Sequence, residues 1–318
     1  MVAMSLGALI IAGCVQLLVR SQQAYRVNET VARLQETARH ALTLLELDIR
    51  MAGYWGLSNR VERIDNIALP LEPLPAALMS AASGINACGR NWAIHLLEPI
   101  AATDGRYDLD CAAYNRRPQP GADVLIIRRL EAADATPPDT PRLRIVANSN
   151  QGHIVIASCT NTGNSACNRI EPPAPSIPGG VSHDLLVHAY YVSRDATGTA
   201  GQPSLRRKRL IGGSNGATIQ DEEVIARVED FQVQLGTAES QSPHGVVFRD
   251  PDLVTAGDPD RPIVAVRLWL LVRAETRENG YIDAEAREYP PGRGIAPTRD
   301  NFRRMLVSTT IQVRNTRM

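Results

Sequence analysis

Aromatic residues, net charge and catalytic motifs are scarce or absent in this sequence of 318 residues. Aromatic side chains make up only 4% of it, which argues against a surface that binds sugars or bases by stacking. The 34 Lys and Arg residues balance the 34 Asp and Glu residues, so the chain as a whole lacks the field that attracts nucleic acid or an acidic membrane surface. With 44% hydrophobic and 21% charged residues, the sequence predicts a folded chain rather than a disordered one.

The sequence contains none of the short motifs that mark common catalytic sites. HExxH, GxSxG, the P-loop and GxGxxG are all absent. The histidines are scattered, and His183 and His188 are five residues apart, which suits neither one face of a helix nor one face of a strand. We therefore predict no catalytic residues, no cofactor and no small-molecule substrate.

Two groups of aspartates and one basic run are the remaining candidates for binding. Convergent carboxylates could hold calcium, but neither group matches an EF-hand loop and Asp-Pro pairs are common in turns. The basic run 206–209 has no interleaved aromatics, which favours a solvated strand edge over nucleic-acid binding. We therefore predict no metal site and no nucleic-acid partner. The aspartates are Asp104, Asp108 and Asp110, and Asp250, Asp252, Asp258 and Asp260.

The first 19 residues contain no charged side chain, and the first charge is Arg20. As a helix they would span roughly 28 Å, about the thickness of the hydrocarbon core of a bilayer. A cleaved signal peptide is the alternative, but no basic residue precedes the apolar run and residues 19–22 make a poor cleavage site. The segment is predicted to be a single-pass transmembrane helix.

The helical pattern continues beyond this segment. No Pro or Gly interrupts residues 14–52, and Gly53 supplies a helix stop. The pattern predicts one helix of about fifty residues, roughly 75 Å long, with its first half in lipid and its second half packed on a head. A soluble coiled coil is the alternative, but an uncharged first half argues against it. The apolar stripe of the second half consists of Val31, Leu34, Ala38, Ala41, Leu42, Leu45 and Ile49.

After Gly56, short apolar runs separated by turns predict strands. Because few stretches have a helical period, we expect an antiparallel sheet and the α+β class. The predicted domains are a membrane and assembly helix at 1–52 and an α+β head at 53–318. The predicted strands are 123–130, 143–147, 152–157, 185–192, 205–211, part of 223–235, 263–273 and 305–314, with linkers at 136–141, 171–180 and 240–260.

Five cysteines are present. Cys14 lies in the apolar run and is expected to be a free thiol. The other four lie in the head, an even number that is typical of extracytoplasmic proteins with disulfides. Of the three possible connectivities, spacing favours Cys88 with Cys111 and Cys159 with Cys167. Free thiols and a zinc site are the alternatives, although no CxxC and no nearby His supports zinc.

A block at the end of the long helix consists of Asp48, Arg50, Ala52, Gly53, Tyr54 and Gly56. Three later segments are 225–234, 264–273 and 303–315. The block and these segments are similar to the PilW family of type IV pilus minor pilins, and the three segments resemble the late strands of that family. The close resemblance covers well under half of the chain, and the helix-end block is its more specific part.

The N-terminus departs from the pattern of this family. Type IV prepilins carry a short basic leader, a cleavage glycine, a Phe that becomes methylated and a glutamate before the apolar helix. Here the chain opens with Met-Val-Ala-Met, which resembles the residues just after that glutamate. Arg20 and Arg26 are the nearest basic residues, and the positive-inside rule applied to them would keep the head in the cytoplasm. A true start upstream would explain both departures, and a degenerate copy is the alternative.

The resemblance implies a non-enzymatic minor pilin that takes part in type IV pilus assembly, in a priming or tip complex. It implies other minor pilins, the major pilin and a PilY-type tip adhesin as partners. It also implies an inner-membrane location with a periplasmic head, before incorporation into the fibre. A type II secretion pseudopilin similar to the J component, and a signal-anchored periplasmic enzyme or binding protein, are the alternatives. Small residues that would allow close helix packing in the fibre are Ala3, Gly7, Ala8 and Ala12.

Overall fold

The architecture combines one long helix with a head built mainly of antiparallel strands, which confirms the α+β class. The computed structural model describes residues 2–58, 60–132, 141–158, 169–171, 177–213, 216–239, 245–255 and 257–315. The long helix is α1 (Val2–Met51), and a single-turn helix α2 (Ala82–Ile85) lies in the head. Short 3-10 helices occupy Val61–Arg63, Ala76–Ala81, Tyr114–Arg116 and Pro251–Leu253.

The strands form two main sheets and a small hairpin. The larger sheet contains β1 to β9, the smaller one has the order β11-β10-β12-β15, and β13 pairs with β14. Among the described residues, all strand pairs are antiparallel except the two-residue pairing of β1 with β5. The strands are β1 Ile64–Asp65, β2 Ile100–Thr103, β3 Val124–Leu130, β4 Arg142–Ala147, β5 Gly152–Ser158, β6 Arg169–Glu171, β7 Val181–Ser193, β8 Ser204–Ile211, β9 Thr218–Ala226, β10 Val228–Ala238, β11 Val246–Arg249, β12 Ile263–Arg273, β13 Arg287–Glu288, β14 Gly294–Ile295 and β15 Arg304–Gln312.

The second half of α1 packs against strands of both main sheets. Leu34, Ala41 and Ile49 of the predicted stripe are buried, because residues three or four apart lie on one face of a helix. They share a hydrophobic core with Phe231 of β10 and Leu268 of β12. Burying a Leu or Ile side chain contributes roughly 1.5–3 kcal/mol, so this stripe fixes the helix on the head.

The first half of α1 extends away from this core. Among its described side chains, Ile11, Val15, Leu17 and Leu18 are exposed, Ile11 by 66% and Leu18 by 61%. Cys14 is a free, exposed thiol. Among the residues that the structure describes, no helix combines the length and the apolarity that a membrane crossing requires. The predicted continuation of one helix from the N-terminus to residue 51 is confirmed, whereas its transmembrane character is not.

The strand β7 is the centre of the larger sheet. Its residues pair with β4 at one end, with β8 at the other, and with β3 along the middle. Alternate residues of β3 face opposite sides of the sheet, so Leu125 packs toward α1 and Ile126 toward a second core. That second core is covered by the loop-rich segment 54–113.

The predicted strand in 223–235 is two strands. The chain breaks at Arg227, whose φ of +70° lies in the left-handed region, so β9 stays in the larger sheet while β10 enters the smaller one. The predicted linker 240–260 contains β11, a four-residue strand that pairs with β10. Residues 136–140 of one predicted linker and residues 172–176 of another lie outside the described residues.

The interpretation of residues 206–209 as a solvated edge is wrong. Strand β8 lies between β7 and β9, and the side chains of Arg206 and Lys208 are 2% and 6% exposed. They form ion pairs with Asp221 of β9, at 2.8 Å for Arg206 and 2.7 Å for Lys208. The acidic run 221–223 is the cross-strand neighbour of the basic run, so opposite charges offset burial.

The disulfide between Cys88 and Cys111 closes a loop with a sequence separation of 23 residues. Both residues belong to the layer that covers the second core, where Cys88 is buried. The pairing that spacing favours is therefore present. The second predicted pair, Cys159 with Cys167, lies outside the described residues.

The two main sheets are joined at Asp123, which immediately precedes β3. Its amide donates a hydrogen bond to the carbonyl of Phe231, and its carboxylate accepts one from the amide of Val233, at 2.9 and 2.7 Å. A third bond, from the amide of Gly105 at 2.7 Å, holds the loop that follows β2. One side chain thus links β10 of the smaller sheet to two parts of the larger one.

This carboxyl group titrates in an unusual range. Burial raises the pKa of Asp123 to about 7, and the negative charges of Asp104 and Asp230 act in the same direction, against the two backbone hydrogen bonds. The folded protein therefore binds this proton up to about pH 7, whereas an unfolded aspartate releases it near pH 4.

Replacement of both Cys88 and Cys111 with Ala is expected to lower the free energy of unfolding by about 3 kcal/mol, because the unfolded chain regains the entropy that the closed loop removes. Differential scanning calorimetry measures the effect. The matched control is Cys14→Ala, which removes an exposed thiol. Equal thermal midpoints for the double variant and the control would contradict the prediction.

The Asp123→Asn variant tests the link between the sheets. The contribution of Asp123 to stability should fall as the pH rises from about 4 to about 7, because the folded state retains a proton that the unfolded state has lost. The free energy of unfolding of the wild type should therefore fall relative to that of the variant between about pH 4 and pH 7. Above about pH 7 the difference between the two free energies should stay constant. Urea unfolding of both proteins from pH 4 to 8 measures this, and a difference that grows with pH would refute it.

Candidate functional site

The junction between α1 and the head is built around one buried carboxylate. Asp48 lies on the same helix face as Ala41, Leu45 and Ala52, and only 3% of its surface is exposed. A carboxylate in an apolar stripe is costly unless it is paired and hydrogen-bonded. The site is therefore defined by the groups of the head that meet Asp48.

Three side chains of the larger sheet bind the carboxylate of Asp48. Arg129 of β3 approaches one oxygen with Nε at 2.8 Å and with its terminal nitrogen at 2.7 Å. The other oxygen lies 2.5 Å from Nδ1 of His188 and accepts the hydroxyl of Tyr190 at 2.5 Å. His188 and Tyr190 are two residues apart on β7, so both point to the same face of the sheet. We call these four residues the Asp48 cluster.

The protonation states in the Asp48 cluster follow from burial and from its hydrogen bonds. Burial alone raises the pKa of Asp48, but the hydrogen bond from His188 and the charge of Arg129 outweigh it and hold the pKa well below its usual range. Burial lowers the pKa of His188, against the effect of Asp48. A neutral His188 donates its Nδ1 proton to an ionised Asp48. Its Nε2 is buried with no hydrogen-bond partner among the described residues.

Helix α1 ends three residues after Asp48, and two glycines allow the chain to turn away from the helix there. Gly53 and Gly56 have φ angles of +72° and +69°, which residues other than glycine rarely adopt. A Cβ on Gly56 would also lie 3.0 Å from the imidazole of His183. The amide of Gly53 donates to the carbonyl of Arg128, and Tyr54 accepts from the amide of Leu130. These two hydrogen bonds, of 3.1 and 2.9 Å, hold the segment that follows α1 against the end of β3.

The C-terminal segment also contacts the end of α1. The amide of Arg314 donates to the carbonyl of Arg50 at 3.2 Å, and the side chain of Asn315 donates to the carbonyl of Ala52 at 3.4 Å. Carbonyls in the last turn of a helix lack helical partners, so these bonds satisfy them. The side chain of Arg50 itself forms an ion pair with Glu46 on the helix surface.

The residues of the helix-end block are therefore brought together at one place, where they fix the exit of α1. The small residues proposed for helix packing, Ala3, Gly7, Ala8 and Ala12, lie in α1, and their side chains are outside the described part of the structure. The Asp48 cluster holds no metal ligand set, since the described residues contain no group of three His, Cys, Asp or Glu side chains arranged for a metal ion.

Two of the seven aspartates considered for calcium, Asp104 and Asp252, have arginine partners. Asp252 accepts two bonds from Arg106, at 2.6 and 3.0 Å. Asp104 lies 3.4 Å from Arg293, which also donates to Gln232 at 2.7 Å. Arginine side chains therefore already supply the positive charge at these two carboxylates.

The partners of Asp48 are residues that sequence reasoning missed. Spacing in the sequence relates His188 to His183 and not to Asp48, and neither Arg129 nor Tyr190 belongs to a motif. The available signal was Asp48 itself, because an ionisable residue on the buried stripe of a helix requires a partner.

The Asp48→Asn variant is expected to lower the free energy of unfolding by about 3 kcal/mol at neutral pH, because it leaves the largely buried Arg129 without its counter-charge. The loss should shrink below about pH 4, where an unfolded aspartate takes up a proton and the advantage of the lowered pKa fades. Urea unfolding measures both effects. The matched control is Glu46→Gln on the same helix, whose half-exposed pair with Arg50 should contribute under about 1 kcal/mol. Equal losses in the two variants would rule out a special role for the Asp48 cluster.

The chain was compared with curated proteins and with solved structures. A search of curated proteins finds no match to the chain. One solved structure to which the chain is similar is a type IV-like pilin from Thermus thermophilus. The sequence identity is 12%, the alignment covers 89% of this chain and 96% of that one, and the TM-score is 0.37.

The model of the family described as type IV pilus-assembly protein W matches residues 189–315. This range contains all three late segments that resemble the family, and it includes Tyr190 of the Asp48 cluster and the contacts of Arg314 and Asn315 with the helix end. The helix-end block itself, from Asp48 to Gly56, lies outside it. The predicted resemblance is confirmed over residues 189–315, where the chain matches the PilW family of type IV pilus-assembly proteins.

Proposed function

We propose that this chain is a minor pilin that acts in type IV pilus assembly without catalysing a reaction. The family match supports a role in pilus assembly. The observation that supports the more specific role of a minor pilin is the division of α1 into two halves. The second half is buried on the head, whereas the first half exposes Ile11, Val15, Leu17 and Leu18, side chains that need an apolar partner.

Two environments would cover this exposed half in turn. Before assembly it would lie in the inner membrane, with residues 53–318 as a periplasmic head. During assembly it would leave the lipid and pack against the helices of other subunits in the core of the fibre. Small residues at Ala3, Gly7, Ala8 and Ala12 would let neighbouring backbones approach closely, as small residues do between membrane helices.

The Asp48 cluster would give this step its mechanical basis. A subunit that is extracted from lipid through its head must transmit force to the helix without separation of the two parts. The charged hydrogen bonds of Asp48 to Arg129 cross the junction, as do the backbone bonds of Gly53 and of Arg314. Charge-assisted hydrogen bonds in a buried site are among the stronger contacts that a fold offers.

The expected partners are other pilus subunits. We propose that the chain contacts other minor pilins and the major pilin through the exposed half of α1, and a PilY-type adhesin through its head, in a complex that primes assembly or lies at the tip.

The double variant Ile11→Asp/Val15→Asp tests the role of the exposed helix. Each charge near the centre of a membrane helix costs about 2.5–3.5 kcal/mol, so membrane association and surface pili should both be lost while the head remains folded. Carbonate extraction of membranes and electron microscopy of pili measure the two effects. The matched control, Gln22→Asp, adds a charge beyond the apolar segment and should leave both unchanged.

Normal pilus numbers with the double variant would contradict the proposal. Normal pili combined with a loss of protein secretion would instead identify the chain as a pseudopilin of type II secretion.

A further inference from the structure

A large cleft separates the middle of α1 from a loop of the head. Its volume is about 990 Å³, and it is lined by α1 on one side and by the segment that follows β12 on the other. We call it the helix cleft. Its charged lining residues are Arg20, Arg26, Glu29 and Arg33 of α1, and Arg227, Arg273, Glu275, Arg277 and Glu278 of the head.

The helix cleft is basic although the chain as a whole is neutral. Six arginines and three glutamates give the lining a formal charge of 6 − 3 = +3, whereas the whole chain has a formal charge of zero. A concave surface that concentrates one sign of charge attracts ligands of the opposite sign.

Each glutamate of the helix cleft already has an arginine partner. Glu29 pairs with Arg33 at 2.9 Å, and Glu275 pairs with Arg227 at 3.3 Å. Glu278 accepts two bonds of 2.9 Å from Arg303, which lies outside the lining. The glutamates are therefore not available to neutralise the remaining arginines.

Three arginines of the helix cleft have no ion pair with any residue that the structure describes: Arg20, Arg26 and Arg277. All three are exposed. The guanidinium of Arg277 lies 5.4 Å from the ring centre of Phe302, which holds it on the head side of the cleft. Arg20 and Arg26 face it from α1, so the unpaired charges come from both walls.

The helix cleft begins where the apolar half of α1 ends. Arg20 is the first charged residue after the 19-residue uncharged segment, and Arg26 follows it by about 9 Å along the helix. The polar layer on each side of a bilayer is roughly 5–8 Å thick. If the apolar half lies in a membrane, as the proposed function requires, Arg20 lies at the inner edge of the headgroup layer. Arg26 lies at its outer edge, and its long side chain, tilted toward the helix N-terminus, reaches back into that layer.

We propose that the helix cleft binds the headgroup of an anionic phospholipid while the subunit is in the membrane. The lipid phosphate would lie between Arg20 and Arg26 on one wall and Arg277 on the other. A guanidinium donates two parallel hydrogen bonds to a phosphate, and its methylene stem packs on the apolar surface below. The amides of Gln23 and Asn279 also line the cleft, and they would be available to the hydroxyl groups of a glycerol headgroup.

The position of the helix cleft favours a lipid over an acidic segment of another protein. An acidic partner could bind a basic cleft anywhere on the head, whereas a headgroup requires it at the end of an apolar helix. Binding to a lipid here would also orient the head with respect to the membrane surface, and the contact would be released when the subunit enters the fibre.

The test is vesicle flotation of the full chain with two lipid compositions. One vesicle is pure phosphatidylcholine, and the other contains 30% phosphatidylglycerol. Near an anionic surface each arginine strengthens binding roughly fivefold, so three should give the wild type on the order of a hundredfold preference for the anionic vesicle. The variant Arg20→Gln/Arg26→Gln/Arg277→Gln should lose most of this preference, and salt should reduce it in the wild type.

A matched control removes the same number of charges elsewhere. Arg60, Arg90 and Arg194 are exposed, lie outside the helix cleft, and form no side-chain ion pair within the described part of the chain. Their triple replacement with Gln should keep the anionic preference of the wild type. An equal loss in both triple variants would show that overall charge, not the cleft, determines the preference, and would overturn the inference.

The outcomes separate this inference from the proposed function. Flotation with both vesicles without an anionic preference would overturn the lipid site and leave the membrane helix intact. Absence of flotation with either vesicle would overturn both. Binding of a labelled hexaglutamate peptide that the cleft variant abolishes, with no anionic preference, would assign the cleft to an acidic protein segment and refute the lipid site.

Discussion

The buried carboxylate of Asp48 is the constraint on which the rest of this structure depends. It stands on the apolar stripe of a helix, and its cost in that position is offset only because Arg129, His188 and Tyr190 converge on it from the larger sheet. These contacts fix the rotation and the height of α1 on the head. The turn at Gly53 and the contact with Asn315 then hold the helix end from two further directions.

This arrangement explains why one helix can have two different halves. The half that contains Asp48 and the buried stripe is packed on the head. The other half exposes the apolar side chains that the structure describes there, Ile11 and Leu18 among them. Under the proposed function, this division would let the projecting half change its neighbours between membrane and fibre while the docked half stays on the head. The basic helix cleft lies at the boundary between the two halves.

Local patterns predicted much of this architecture. The period of Leu34, Ala41 and Ile49 predicted the helix and its buried face, and the run 263–273 predicted β12 with its observed limits. Long-range pairing could not be read in the same way. The partners of Asp48 on β7 are 140 and 142 residues away, and no local pattern links them. The break between β9 and β10 depends on the positive φ angle of one residue, Arg227. An Arg in the sequence gives no reason to expect a positive φ angle.

The exposed half of α1 is proposed to contact other pilus subunits. The most direct test places a photoreactive amino acid at Leu18 in cells that assemble pili, with Leu253 of the head, which is 72% exposed, as the comparison position. We expect a covalent adduct of Leu18 with the helix of another pilin in isolated fibres. Isolated fibres that contain the chain but yield no pilin adduct from Leu18, whether or not Leu253 yields one, would contradict it.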